Sequence, residues 1–269
     1  IISFVCSLVL LVVSVVAKSM AAGGQGLIIL SLAITILAAG VGFNQLLDGI
    51  KAIKSLNFNR NTGCFFALLA VTVQNVVFLT SSAPFENGLS LLNAAAILYL
   101  GLNLSGEYIE HKRIGENFSY ISSRDDIYSI GPIEKKGTAF EIGRGLLLDD
   151  PSVLLSQKTL FPRRFIEFSR KYYPSDSISK KLVPVGVIGS VLVGLITLLV
   201  SKDVLSAITA FTASACVCMP YLTYIVDSAA IDKVSKRMRS KGAMIAGWEA
   251  FKVCENANAV AVDSCDIFD

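Results

Sequence analysis

The chain has 269 residues, 53% of them hydrophobic and 17% charged, with a mean hydropathy of +0.62. A water-soluble domain carries about 25% charged residues, and a rich core alone does not explain so large a deficit. A disordered chain, a charge-led nucleic-acid binder and a disulfide mini-scaffold are excluded, and a net charge of +3 implies no polyanionic partner.

The apolar residues fall in blocks. Residues 1–17, 27–43, 63–85, 87–106, 182–201 and 204–226 contain no Asp, Glu, Lys or Arg. Each run is near the roughly 17–25 residues with which a helix crosses a ~30 Å hydrocarbon layer. One such run could be a buried core helix; six of them predict an α-helical polytopic membrane protein with six transmembrane helices. The first run lacks the basic n-region and the small-residue cleavage site of a signal peptide. Because the chain opens at Ile1 inside this run, a fragment of a longer protein is expected.

Positively charged residues give the orientation, since Lys and Arg are retained on the cytoplasmic side. Lys51, Lys54 and Arg60 lie between the second and third runs, and a large set lies between Lys112 and Lys181. A third set follows the last run, from Lys233 to Lys252. Only Lys18 and Lys202 occupy the other loops, so 22 of 24 basic residues share one side. The expected organisation is four transmembrane helices over 1–106, a cytoplasmic insert over 107–181, a helix pair over 182–226 and a cytoplasmic tail over 227–269. Both ends are cytoplasmic and the partner is the lipid bilayer.

The insert opens with Glu107, Glu110, His111, Lys112 and Arg113, a charged continuation of the fourth run as a helix. Turn signals follow at Gly131-Pro132, Gly137, Gly143, Gly145 and Asp149-Asp150-Pro151. It closes on the aromatic and basic run 161–173, and Pro174-Ser175-Asp176 starts a helix. Gln74, Asn75, Asn93 and Asn103 are uncharged polar residues within the runs, suited to bonding neighbouring helices. Asp227 and His111 lie where water can reach them. The stretch 233–241 is basic enough to meet anionic headgroups.

Six cysteines (Cys6, Cys64, Cys216, Cys218, Cys254 and Cys265) show no disulfide framework. Cys216 and Cys218 flank Val217 and precede Met219-Pro220. A proline inside a transmembrane helix removes one backbone hydrogen bond and blocks another, freeing carbonyls near Cys216. Residues i and i+2 do not share a face of a straight helix, but unwinding beside Pro220 could bring the thiols together. Thiolates select soft or borderline ions such as Cu(I) and Zn(II), so Cys216 and Cys218 are candidate ligands of a transported metal. The alternative, small packing residues beside a plain kink, stays open on these residues.

Several stretches, taken in order, resemble the P-type (E1-E2) ATPases, and within them the heavy-metal branch. That branch carries Cys-Pro-Cys on a helix leading to its phosphorylation domain; here the motif reads Cys216-Val217-Cys218 with the proline displaced to 220. The stretch Gly242–Ala250 is similar to the family's Gly-Ile-Leu-Ile-Lys-Gly-Gly-Glu-Ala. Asp263 follows at the spacing of the phosphorylated aspartate, after the apolar Val260-Ala261-Val262. Gly106–Glu110 resembles the helix into the actuator domain and 165–185 the return to the membrane, so the resemblance covers about 95–269.

It implies that the insert is a reduced actuator-like domain and that 227–269 forms a stalk and the start of a phosphorylation domain. It also implies ATP and Mg²⁺ as cofactors, a heavy-metal cation as substrate and residence in a bacterial plasma membrane. Nucleic acid is not an expected partner.

Departures from the family pattern are equally visible. After its aspartate the family reads Lys-Thr-Gly-Thr; here Asp263 is followed by Ser264, Cys265 and Asp266. The balancing lysine is replaced, and an extra carboxylate raises the electrostatic cost of an arriving phosphoryl group. The insert has no Thr-Gly-Glu, and the six residues after Asp263 leave no nucleotide-binding domain. Asp263 and Asp266 therefore read either as a degenerate phosphorylation site or as ordinary strand-end polar residues. Three functions remain: a P-type ATPase-like translocase of heavy-metal cations, a catalytically impaired relative with a structural or regulatory role, and an unrelated channel or secondary transporter.

Overall fold

The computed structural model describes residues 2–19, 24–81, 89–124, 127–133, 137, 141, 153–162 and 164–255. In chain order the elements are α1 (Ile2–Ser19), α2 (Gly24–Val41), α3 (Phe43–Lys54), α4 (Arg60–Thr80) and α5 (Asn93–Ser122). The strands β1 (Ile127–Pro132) and β2 (Leu154–Thr159) follow, then α6 (Phe165–Arg170), α7 (Pro174–Ser201), α8 (Val204–Val217), α9 (Thr223–Arg239) and α10 (Trp248–Glu255). Contacts divide them into two units. One comprises Ile1–Glu110 with Pro174–Ala230, the other His111–Tyr173 with Ile231–Asp269. The division falls at 110 and 174 because α5 runs past the end of its apolar stretch into the charged 107–122, and α7 begins eight residues before Leu182.

The first unit is a helical bundle centred on α4. Cys64, Ala67, Leu68 and Val71 of α4 pack with Ala38 of α2, Ala96, Ile97 and Leu100 of α5, and Val183 of α7. Small side chains on α4 let the neighbouring helices approach closely. The start of α4 is fixed by a capping box: Asn59 Oδ1 accepts from the Thr62 N–H at 3.0 Å and Thr62 Oγ1 accepts from the Asn59 N–H at 3.2 Å. Asp203 caps α8 in the same sense, accepting from the Leu205 and Ser206 N–H groups. Between α7 and α8 runs a small-residue stripe of Gly186, Ser190 and Gly194. A methyl group on Gly194 would sit 3.0 Å from Phe211 Cβ, and one on Gly186 would sit 3.2 Å from the Cys218 carbonyl oxygen.

Among the described residues, α4 and α7 are long and apolar enough to cross a membrane, and a third span results if the bent pair α2–α3 counts as one. The two straight candidates differ in setting: 56% of the apolar window of α4 is buried, against 17% for α7. Val185, Ile188, Ile196 and Leu199 on α7 are exposed. A face of that kind is stable in hydrocarbon and costly in water.

Three apolar runs form helices that differ from the simplest expectation. The run 27–43 ends at Val41, and the chain turns by 81° into α3. The turn is at Gly42, where a Cβ would come within 2.5 Å of Leu100 Cδ1. The run 87–106 is helical only from Asn93. Its lead-in is held by Gln74, whose Nε2 donates to Ser90 O (3.1 Å) and whose Oε1 accepts from the Leu92 N–H (3.4 Å). Non-helical backbone packed within a helical bundle needs such partners for its polar groups. The run 204–226 is two helices, α8 and α9, separated at 218–222.

The second unit joins the later parts of α5 and α9 to α6, α10 and a two-stranded antiparallel sheet. The register of β1 and β2 runs from Ile127 opposite Thr159 to Pro132 opposite Leu154. Ile114, Ile121 and Phe165 form its small core, with Ile127 and Met244 against them. The rings of Phe118, Phe161 and Phe165 extend it.

Candidate functional site

At the α8–α9 break the last helical residue is Val217, and the Cys218 N–H bonds the Ser214 carbonyl at 2.9 Å. Pro220 has no N–H to offer the carbonyl of Cys216 four residues earlier. The next amide, of Tyr221, turns instead to the Met219 carbonyl at 2.9 Å, and Thr223 Oγ1 donates to the Pro220 carbonyl at 3.0 Å. The unwinding expected beside Pro220 is therefore present. Cys216 is half-buried against the apolar core, and Cys218 is exposed. Met219 is buried, its sulfur 3.5 Å from where a Cβ on Gly63 would lie and its Cε 3.1 Å from one on Gly186. Two glycines on α4 and α7 thus make room for the break. Among the described residues no group of three or more His, Cys, Asp or Glu side chains is placed to hold a metal ion. Any metal at Cys216 and Cys218 would need further donors from backbone carbonyls or Met219.

Next to the break, around the start of α9, lies a partly buried charged knot that sequence reasoning did not single out. The Arg60 guanidinium stacks over the Tyr224 ring at 3.6 Å, with Glu110 at 3.9 Å and Asp176 at 3.5 Å. Tyr224 donates its hydroxyl proton to Glu110 Oε2. Tyr99 donates to the Arg60 carbonyl at 3.2 Å. Asp227 accepts from the Ser175 N–H at 2.6 Å, so it caps the first turn of α7. The starts of α4, α7 and α9 are fastened to the middle of α5 at this knot. Its signal in the sequence was faint, because Arg60, Glu110, Asp176 and Tyr224 are far apart along the chain and each alone reads as a boundary residue.

The polar residues inside the runs bond neighbouring helices, as their chemistry suggested. Asn93 Nδ2 donates to Thr35 Oγ1 at 2.8 Å, and Ser31 Oγ donates to Asn75 Oδ1 at 3.0 Å. Asn103 donates to Asn61 Oδ1 at 2.8 Å, and Gln74 reaches Thr209 Oγ1 at 3.5 Å. Asn93 Oδ1 is buried without a hydrogen-bond partner.

The stretch similar to the family's Gly-Ile-Leu-Ile-Lys-Gly-Gly-Glu-Ala lies in the second unit and is clamped from α5. Arg113, fully buried, donates from Nη1 to the Ala246 carbonyl and from Nη2 to the Ser169 carbonyl at 2.9 Å. Asn117, one turn on, donates to the Ile245 carbonyl at 3.0 Å, while Arg239 donates to Asn117 Oδ1 and Glu116 Oε2. A Cβ on Gly247 would lie 2.7 Å from the Phe168 carbonyl oxygen, so glycine is required by close backbone approach. On α9 the hydrogen bond from Lys236 to Asp232 (2.6 Å) raises its ammonium above the ordinary lysine value. His111 is exposed, with its ring beside Arg170 Nη2. Asp263, Asp266, Cys265 and the side chain of Cys254 lie outside the described residues. The residue through which the resemblance would bring in ATP and Mg²⁺ is therefore among those not described.

The chain matches no family model, no curated protein and no solved structure.

Proposed function

We propose that this chain is the membrane portion of a P-type ATPase-like cation translocase, with six crossings, both ends cytoplasmic and a heavy-metal cation as cargo. The observation that carries the reading is the helix broken at Pro220, with thiols at Cys216 and Cys218 on its upstream edge and a peptide carbonyl relieved of its helical donor. A broken helix offers both soft thiolate donors and carbonyl oxygens to a dehydrating cation, which an unbroken helix withholds. The order of the Cys-Val-Cys, Gly242–Ala250 and Asp263 stretches supports the same reading, with Asp263 as the acceptor of the ATP γ-phosphoryl group. The Ser264-Cys265-Asp266 sequence favours a second reading, a catalytically impaired relative that keeps the scaffold for a structural or regulatory role.

Both readings are separated by one pair of measurements on the full protein in membranes. A working translocase forms an acid-stable phosphoenzyme with labelled ATP that Asp263→Asn abolishes, and takes up Cu(I) or Zn(II) in a manner lost on joint replacement of Cys216 and Cys218 by Ala. Metal binding without a phosphoenzyme leaves the impaired relative. Metal uptake that persists in Asp263→Asn overturns both in favour of a channel or secondary transporter.

A further inference from the structure

An open cleft of about 490 Å³ lies in the first unit between α3, the start of α4 and the first turn of α7. Its volume is that of a small-ligand site, but its wall is polar. Lys51 and Arg60 bring two positive charges and Asp48 and Asp176 two negative ones, and Asn57 and Asn59 also line it. A cleft with both signs in equal number is poorly matched to a simple anion or a simple cation. It suits a ligand that carries both charges a few ångströms apart.

Position narrows the ligand further. Arg60 opens α4, a helix long and apolar enough to cross a membrane, and stands three residues before the uncharged run that begins at Gly63. At 1.5 Å per residue this is roughly 4.5 Å. Asp176 stands six residues before Leu182 on α7, roughly 9 Å from the start of its uncharged run. The polar headgroup layer adds about 5–8 Å to each side of the hydrocarbon, so Arg60 stands at headgroup depth and Asp176 just beyond it. Beside the cleft, α3 exposes Phe43, Ile50 and Ile53, and Leu56 at its end is 79% exposed. Apolar side chains next to a polar cleft at this depth match a ligand with acyl chains on one side and a charged head on the other.

We propose that this cleft binds the headgroup of an amine-bearing phospholipid, phosphatidylethanolamine. Lys51 faces its phosphate and Asp48 accepts hydrogen bonds from its ammonium, while Arg60 and Asp176 keep the 3.5 Å pair that forms the inner wall of the cleft. Phosphatidylcholine has the same phosphate and charge, but its trimethylammonium has no N–H for the Asp48 carboxylate. Phosphatidylglycerol has the phosphate and no ammonium. The existing Lys51–Asp48 pair, at 3.5 Å with both side chains more than half exposed, holds little energy against such an exchange.

The test uses the full chain in nanodiscs of equal parts phosphatidylethanolamine, phosphatidylcholine and phosphatidylglycerol, with the lipids retained by the protein read by native mass spectrometry. Phosphatidylethanolamine is expected over phosphatidylcholine by about fivefold, the scale of one or two hydrogen bonds. Asp48→Asn should level that preference, and Lys51→Gln should lower retention of both. These two side chains lie on the surface, so neither change threatens the fold. Equal retention of the two lipids in the unaltered protein overturns the proposal, as does a preference that survives both substitutions. Complete displacement by soluble phosphoethanolamine makes a free phosphate ester the ligand and overturns the lipid assignment. No retained lipid of any kind overturns the membrane setting as well, whereas loss of metal uptake or phosphoenzyme leaves this proposal standing.

Discussion

Arg113 shows how much a single side chain on α5 can hold. It is a fully buried guanidinium whose two terminal nitrogens end on main-chain carbonyls, at Ser169 and Ala246, rather than on a carboxylate. Charge-assisted bonds of this kind are stronger than neutral ones, and losing the donor strands two acceptors, the Ser169 carbonyl fully buried. Arg113→Ala should therefore destabilise the second unit by about 3 kcal/mol, the lost hydrogen bonds adding to the cavity. Hydrogen exchange reads this directly: amides of 243–255 should lose protection while those of α4 keep theirs. Unchanged protection at 243–255 would show that Gly247 packing alone seats this stretch. Arg113→Lys should fall between the two, since a single ammonium cannot span both carbonyls.

Among the elements, the α7–α8 contact is the most sharply defined by small residues. Gly186, Ser190 and Gly194 recur every four residues and so form one stripe. Gly189 lies off it and has nothing within 4 Å of where its Cβ would be. Gly194→Leu should force α7 away from Phe211 and cost about 1–3 kcal/mol. Gly189→Ala should be neutral or stabilise by about 0.5–1 kcal/mol, as alanine is the better helix former. Thermal unfolding in detergent, followed by tryptophan-independent dye binding, compares the two. Equal melting shifts for both variants would refute close packing as the function of the stripe. The α8–α9 break belongs to the same scale, because Pro220 denies one hydrogen bond and Gly63 and Gly186 leave the space in which the unwound segment rests.

At the scale of the whole molecule, the asymmetry of Lys and Arg predicts sidedness. The proposed topology with both ends cytoplasmic would place residue 202 on the outer face and residue 233 on the inner one. In intact cells carrying an otherwise cysteine-free protein, Lys202→Cys should react with an impermeant maleimide and Lys233→Cys only after lysis. Labelling of both from the same side would overturn the crossing proposed for 204–226 and with it the six-span topology. The outcome matters for the broken helix, since a break between α8 and α9 offers a route across the membrane only if that run enters on one side and leaves on the other.

The sequence by itself determined what depends on local chemistry. Uncharged runs marked where helices would lie, Pro220 marked where one would unwind, and Gln74, Asn75, Asn93 and Asn103 could be read as helix-to-helix bonds because an unpaired polar group is costly in an apolar setting. Their partners were another matter. That Gln74 holds the chain at Ser90 and Leu92, delaying α5 to Asn93, depends on residues 16 and 18 positions away meeting in space. The 81° turn at Gly42 depends on how close Leu100 comes. Arg60 and Arg113, which the sequence offers only as orientation signals, are wrapped by side chains and carbonyls from distant parts of the chain. Hydropathy and proline act through the nearest few residues, and sequence reports them faithfully. Ion pairs, close glycine contacts and clefts with two signs of charge are made by distant residues brought together, and only the tertiary structure decided them.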